Sequence, residues 1–386
     1  MTAVDRWLLR LAAGVVTVAG GLHIAELVQT RSARSVRVTR AEGLAKVAQA
    51  SVTSQDWAQV AVLLSGAVEA YPESDRLRTQ LAEARVALVL ARRGSFEANE
   101  NLQMEQTLLL SAPTALRAVA LAKLALQRGQ HALANQRIKT ALELDPDLRE
   151  AFLYEGMLRF SEGAFDTATV SLKKALTGET DTAMAHFMLG QVEVARRDWV
   201  AAARYLQTAA PELNTAQGWR ILGAVLRELK QLPEAEQALR KALALVPGEP
   251  EASVQLGMLL TAAGRNKEAI APLTAAWRGS RDQRAYAKLG RAYLDVGRHQ
   301  EAAQVMAELA KLRPEDPEVV FVLGLAAEAL QDKATARSAF EATVQRAGET
   351  ERWRELSVAA RARVNALRSV SIPLTQGPPK KTRADQ

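Results

Sequence analysis

The sequence predicts an all-α protein: a right-handed α-solenoid of about nine helix-turn-helix repeats closed by a C-terminal capping helix. Three observations predict it. Small residues recur at a near-constant interval along most of the chain. Two further ladders, one of Ala and one of large apolar residues, run in phase with the first. The composition is rich in Ala and Leu, strong helix formers, with aromatics at only 5%.

The first ladder is Ala48, Ala87, Ala122, Gly156, Gly190, Gly223, Gly257, Gly290 and Gly324. From Ala122 onward the spacings are 34, 34, 33, 34, 33 and 34, after earlier steps of 39 and 35. Leu189, Leu222, Leu256, Leu289 and Leu323 directly precede the last five glycines. Ala134, Ala168, Ala202, Ala235, Ala269, Ala302 and Ala336 each lie twelve residues past the small residue of their unit. Ile138, Leu172, Leu206, Leu239, Leu273, Met306 and Phe340 complete the register. A unit of this length holds two helices of about a dozen residues, each ~18 Å long. Neither can bury an apolar stripe alone, so units stack and form a continuous core. The small residue of the first helix and the Ala of the second let the two helices approach closely. Gly94, Gly129, Gly163, Gly264 and Gly297 are placed to end first helices in a left-handed cap. Pro72, Pro146, Pro247 and Pro314 stop second helices.

Repeats start near Ala41, Gln80, Ala115, Arg149, Ala183, Ala216, Pro250, Gln283 and Pro317. The stretch from Thr215 to Pro247 carries Trp219, Leu222, Gly223, Ala235, Leu239, Ala242 and Pro247. At each of those places it resembles a tetratricopeptide repeat, as does the ending Ala141-Leu142-Glu143-Leu144-Asp145-Pro146. The resemblance covers about residues 41–350 and implies a scaffold that binds other proteins. Departures are local. Asn99 stands where Ala is usual, in a polar second helix, and Arg197, Lys230 and Gln331 replace the turn glycine. Residues 351–368 read as an amphipathic cap, and 369–386 as a disordered tail rich in Pro, Gly and Lys.

The ends carry much of the net charge of +7. Arg31, Arg34, Arg37 and Arg40 form a basic segment, 31–40, that follows an apolar run, and Lys380, Lys381 and Arg383 lie in the tail. Residues 1–30 are expected to be a membrane anchor or an uncleaved signal-like segment, with 7–28 long enough to span a bilayer that needs about 20 residues. The alternatives are a cleaved signal peptide and an apolar helix capping the solenoid. Together with the absence of cysteine, this gives an expected bacterial inner-membrane protein with a single N-terminal anchor. Basic residues on both flanks leave sidedness open, with a lean to the cytoplasm. Fifty basic residues face 43 acidic ones, so the repeats are nearly balanced, and no nucleic acid is expected as a partner.

No catalytic motif, cofactor motif or metal-ligand pair stands in the chain, and the expectation is a non-enzyme without cofactor. Zero cysteines exclude thiolate chemistry and cysteine-ligated clusters. Carboxylate pairs such as Glu249 and Glu251 read as charge at helix N-termini. His131 and His299 read as turn residues, and His186 as a partly buried structural one.

Two regions are candidate partner sites, because the resemblance places first helices on the concave face. Leu153, Met157 and Phe160 follow i, i+4, i+7, and with Met184 and Phe187 they would line an apolar groove for a peptide or helix. Ordinary packing between repeats is the alternative. Farther on, Arg220 and Arg227 share one helix face, Arg284, Lys288 and Arg291 another, and Gln255 lies between. Arg220, Gln255, Arg284 and Lys288 resemble in part the carboxylate clamp of tetratricopeptide co-chaperones, with Ala224 in place of a further Asn. Against that stands neutralisation of the patch by Glu228, Glu251 and Asp295 through ion pairs between repeats. Two functional expectations follow. One is a membrane-anchored scaffold or adaptor in a bacterial envelope or secretion assembly. The other is a chaperone-like receptor for C-terminal carboxylates or acidic peptides in a basic groove.

Overall fold

The computed structural model describes residues 33–92, 94–177, 182–348 and 350–369, and every regular element among them is helical. The chain divides into two units after Met188. The first holds residues 33–52 (α1), Trp57–Ala70 (α2), Asp75–Ala91 (α3), Ala98–Leu109 (α4), Ala115–Gln127 (α5), His131–Leu144 (α6), Arg149–Ser161 (α7), Phe165–Ala175 (α8) and the start of Ala183–Arg196 (α9). The second continues with Trp199–Leu213 (α10), Ala216–Glu228 (α11), Leu232–Leu245 (α12), Pro250–Ala262 (α13), Asn266–Ser280 (α14), Gln283–Asp295 (α15), His299–Leu312 (α16), Pro317–Ala329 (α17) and Lys333–Ala347 (α18). A 3₁₀ turn at Glu351–Trp353 leads into Arg354–Ser369 (α19).

Seven first helices, α5 to α17 in odd numbers, begin at the residues where the ladders place repeats, from Ala115 to Pro317. The two earlier ones do not: α3 begins at Asp75, five residues before Gln80, and α1 is already helical at residue 33, eight before Ala41. Side-chain caps fix several of these starts. Thr114, Thr215 and Asp282 accept hydrogen bonds from the N–H groups of Arg117, Gly218 and Ala285, satisfying donors that a helix leaves orphaned. Pro146, Pro247 and Pro314 each follow the last residue of α6, α12 or α16 by two positions.

The core is built from the three ladders. All seven second-helix alanines, from Ala134 to Ala336, are fully buried, and so are Leu172, Leu206, Leu239, Leu273 and Phe340. Each large residue rests on the glycine of its own repeat. A methyl group added at Gly223 would meet Leu239 Cγ at 2.8 Å and the Ala235 carbonyl oxygen at 3.3 Å. At Gly324 it would meet the Phe340 ring at 2.7 Å. The glycine is therefore the seat of the residue sixteen places later, a closer relation than general small-residue packing. In the turns, Gly129, Gly163, Gly264 and Gly297 have φ between 69° and 80°, the left-handed region. Arg197, Lys230 and Gln331 adopt the same conformation at 63°, 59° and 62°, where an L side chain is strained by about 1 kcal/mol.

The second repeat departs from the pattern because α4 is polar. Instead of an Ala ladder it buries Asn101, which donates to Leu124 O at 3.3 Å and Gln127 Oε1 at 3.2 Å on α5. Glu105 pairs with Arg128 at 2.5 Å. Beside this seam Lys123 donates to the carbonyls of Leu90 (3.1 Å) and Arg92 (2.6 Å), which end α3. Burial foremost, and then Arg92, push the Lys123 ammonium down to about 8 from 10.5. Between those values the unfolded chain holds a proton that the folded chain has released, so folding is favoured as pH rises through that window. Solvent reaches part of the group, which trims the effect to about 1–2 kcal/mol. Denaturation of the wild type at pH 8 and pH 10 should show this gain, and Lys123→Met should remove it.

The inner-membrane localisation expected from the sequence is overturned. Among the described residues no helix is long and apolar enough to cross a membrane. Helices α2 to α19 have 11 to 17 residues, and their apolar positions are spent on neighbouring helices. The expected membrane segment, residues 7–28, lies outside the described residues, which begin at residue 33. Residues 33–40 of the basic segment belong to α1, and Arg34 pairs with Glu73 at 2.9 Å. The proposed tail likewise lies outside the described residues beyond Ser369.

Candidate functional site

Helix periodicity puts Leu153, Met157 and Phe160 on one face of α7, and the structure divides their contacts. Met157 packs on the core cluster of Val119, Ile138, Tyr154 and Leu158. The Phe160 ring tilts against Phe165 at 5.8 Å, within its own hairpin. Phe187 is buried at 6% exposure, while Leu153 and Met184 remain half-buried. These five residues therefore serve packing in large part, and Leu153, Met157, Phe160 and Met184 keep some free surface.

The basic residues of the second unit differ from one another. Arg220 on α11 is half-buried, with its Nε 3.5 Å from Glu249 Oε1, at the N-cap of α13. Burial pushes the Glu249 carboxyl above its ordinary range. The Ala252 N–H and Arg220 pull it back, and the hydrogen bond with Glu251 adds to the rise. Glu251 is held below its ordinary range, chiefly by that same bond. Arg227 pairs with the adjacent Glu228 at 2.7 Å, and Arg291 with Glu318 of α17 at 3.6 Å. Gln255 on α13 is half-buried, and its Oε1 is buried without a hydrogen-bond partner among the described residues. Arg284 and Lys288 are exposed on α15 and carry no ion pair or hydrogen bond among the described residues. The neutralisation considered from the sequence thus reaches three of the five cations. Its partners are Glu249, Glu228 and Glu318, whereas Asp295 accepts from Asn266 at 2.8 Å.

Arg284, Lys288 and Arg291 line one wall of a cleft of about 250 Å³ between α13, α15 and α17. Met258, Ala287, Val319 and Val322 line it as well, with Met306 at its base. Arg313, Asp316 and Glu318 complete the lining, Arg313 and Asp316 pairing at 2.8 Å. Sequence reasoning found the cations along α15 and missed the apolar lining. The signal was present: Met258 and Arg291 hold the same place in successive repeats, eight residues past Pro250 and Gln283. Reading such columns across first helices, and not along one helix, brings them together.

Comparison with known proteins adds the following. A family model described as "Cilia and flagella-associated protein 70 C-terminal domain" matches residues 111–360. Mouse superkiller complex protein 3 is 26% identical over 220 residues, which is 46% of this chain and 14% of that protein. The chain thus spans a small part of its curated relative. Among solved structures, Pseudomonas aeruginosa PilF aligns with a TM-score of 0.47 at 21% identity, over 53% of this chain and 94% of that one. YrrB, described as a TPR protein with an unusual peptide-binding site, aligns with a TM-score of 0.44 at 22% identity, over 47% and 95%.

Proposed function

The chain belongs to the tetratricopeptide family whose model is the C-terminal domain of cilia and flagella-associated protein 70, and on that premise we propose that it is a protein-binding scaffold that holds acidic segments of a partner along α15. The observation that carries this reading is the pair Arg284 and Lys288. They are one helical turn apart, exposed, and unmatched by any carboxylate among the described residues, while Arg220, Arg227 and Arg291 are matched. Uncompensated cations beside an apolar cleft favour a ligand that brings carboxylates of its own. The finer expectation of an envelope or secretion assembly rested on the anchor, which lies outside the described residues.

A receptor specific for a free C-terminal carboxylate is the narrower form of the proposal. Gln255 Oε1 does not favour it, because an oxygen acceptor repels a carboxylate and would suit a ligand N–H. Titration of acidic peptides with a free or an amidated C-terminus separates the two forms. Replacing both Arg284 and Lys288 by Ala is expected to weaken an acidic peptide about tenfold or more, with the melting temperature unchanged. Wild-type affinity should fall as salt rises. Equal affinity of the double variant and the wild type would move the site off α15.

A further inference from the structure

From the cleft beside Arg284 and Lys288 we infer a two-part recognition site: it seats one apolar side chain of the partner on Met258, Ala287, Val319 and Val322 while the two cations grip carboxylates that flank it. The inference rests on the reading above and adds the class of residue that fixes the ligand's register. The cleft, about 250 Å³, has room for one large side chain. Chemistry argues the same way. Val319 and Val322 are each 3% exposed and make a closed apolar floor, and Met258 is half-buried. A methionine lining adapts to aliphatic ligands of more than one shape. Charge then sets which residues stand beside the anchor. On the α17 side Asp316 and Glu318 pair with Arg313 and Arg291, so the charge of that rim is balanced. On the α15 side Arg284 and Lys288 stand roughly 6 Å apart at their Cβ atoms, as i, i+4 neighbours do, and remain open. One carboxylate bridging the pair, or two taken singly, completes that wall.

The test uses the full chain and a short acetylated, amidated peptide with one Leu between Glu residues, compared with the same peptide carrying Ala for Leu. On wild type the Leu peptide should bind about tenfold tighter, the value of burying one such side chain. On Ala287→Trp, which fills the cleft and keeps both cations, the Leu advantage should vanish while salt-sensitive binding of both peptides persists. Should Ala287→Trp prove unfolded in its melt, Met258→Ala serves instead: the enlarged cleft should shift preference from Leu to Phe. Equal binding of the two peptides to wild type, with loss of both on the Arg284/Lys288 double variant, would overturn the apolar seat and leave the acidic-segment reading standing. Binding that ignores the double variant would overturn both.

Discussion

Phe340→Ala is expected to cost about 3–5 kcal/mol, the range for removing a fully buried aromatic side chain. Phe340 on α18 has no exposed surface and is among the largest completely buried side chains. Its ring tilts against Phe321 of α17 at 5.5 Å and covers Gly324. On its other side it belongs to one cluster with Ala327, Ala336, Ala360 and Val364, so it joins the ninth repeat to the cap α19. Several of the residues it rests on, Gly324, Ala327, Ala336 and Ala360, are too small to fill the space it leaves. In a repeat array each unit rests on its neighbours, and the loss should appear at that end first. Hydrogen exchange should show α17 to α19 losing protection while α11 to α14 keep theirs. Val358→Ala on the exposed face of α19, where the side chain is 63% exposed, should change little by comparison. Uniform loss of protection across the second unit would mean that it unfolds as a single cooperative block.

Much of this arrangement was legible in the sequence, and the reason is periodicity. Three ladders in fixed register specify which residue meets which, so the Gly223–Leu239 and Gly324–Phe340 seats follow from a constant offset of sixteen. The starts of α5 to α17 in odd numbers followed too, from the spacing of the ladders. The second repeat was less legible, since a polar α4 offers no register. Its burial of Asn101 and Glu105 depends on Gln127 and Arg128, partners on α5 that no spacing rule links to them. The candidate sites were legible only by residue type. A helical face at i, i+4, i+7 is a row, and the row alone does not say whether it meets solvent or a neighbour. That is why Phe187 lies in the core and Lys288 in the open. Pairing was the hardest to foresee: Arg220 is matched by Glu249, the helix-capping residue, and not by Glu251.

Gly257→Leu is expected to destabilise the second unit by about 3 kcal/mol, the upper end of the overpacking range. Even the first carbon of the new side chain would lie 2.5 Å from Leu273 Cδ2 and 2.6 Å from its Cγ, and 3.4 Å from the Leu273 backbone nitrogen. Leu273 is fully buried. Relief must come from α13 moving away from α14. Leu273→Ala alone should cost about 2–5 kcal/mol through the cavity it leaves. The double substitution should cost less than the sum of the two, because the side chain introduced in place of Gly257 fills the space that Leu273 vacates. Chemical denaturation of the four proteins gives that coupling directly. Additive losses would show that the glycine is not the seat of Leu273. The same cycle reaches the binding site, since Met258 follows Gly257 on α13 and lines the cleft. Displacement of α13 in Gly257→Leu should weaken the Leu-bearing peptide and spare the purely electrostatic part held by Arg284 and Lys288 on α15. Recovery of the Leu preference in the double variant, alongside recovered stability, would tie the close helix approach that the glycine ladder permits to the shape of the cleft.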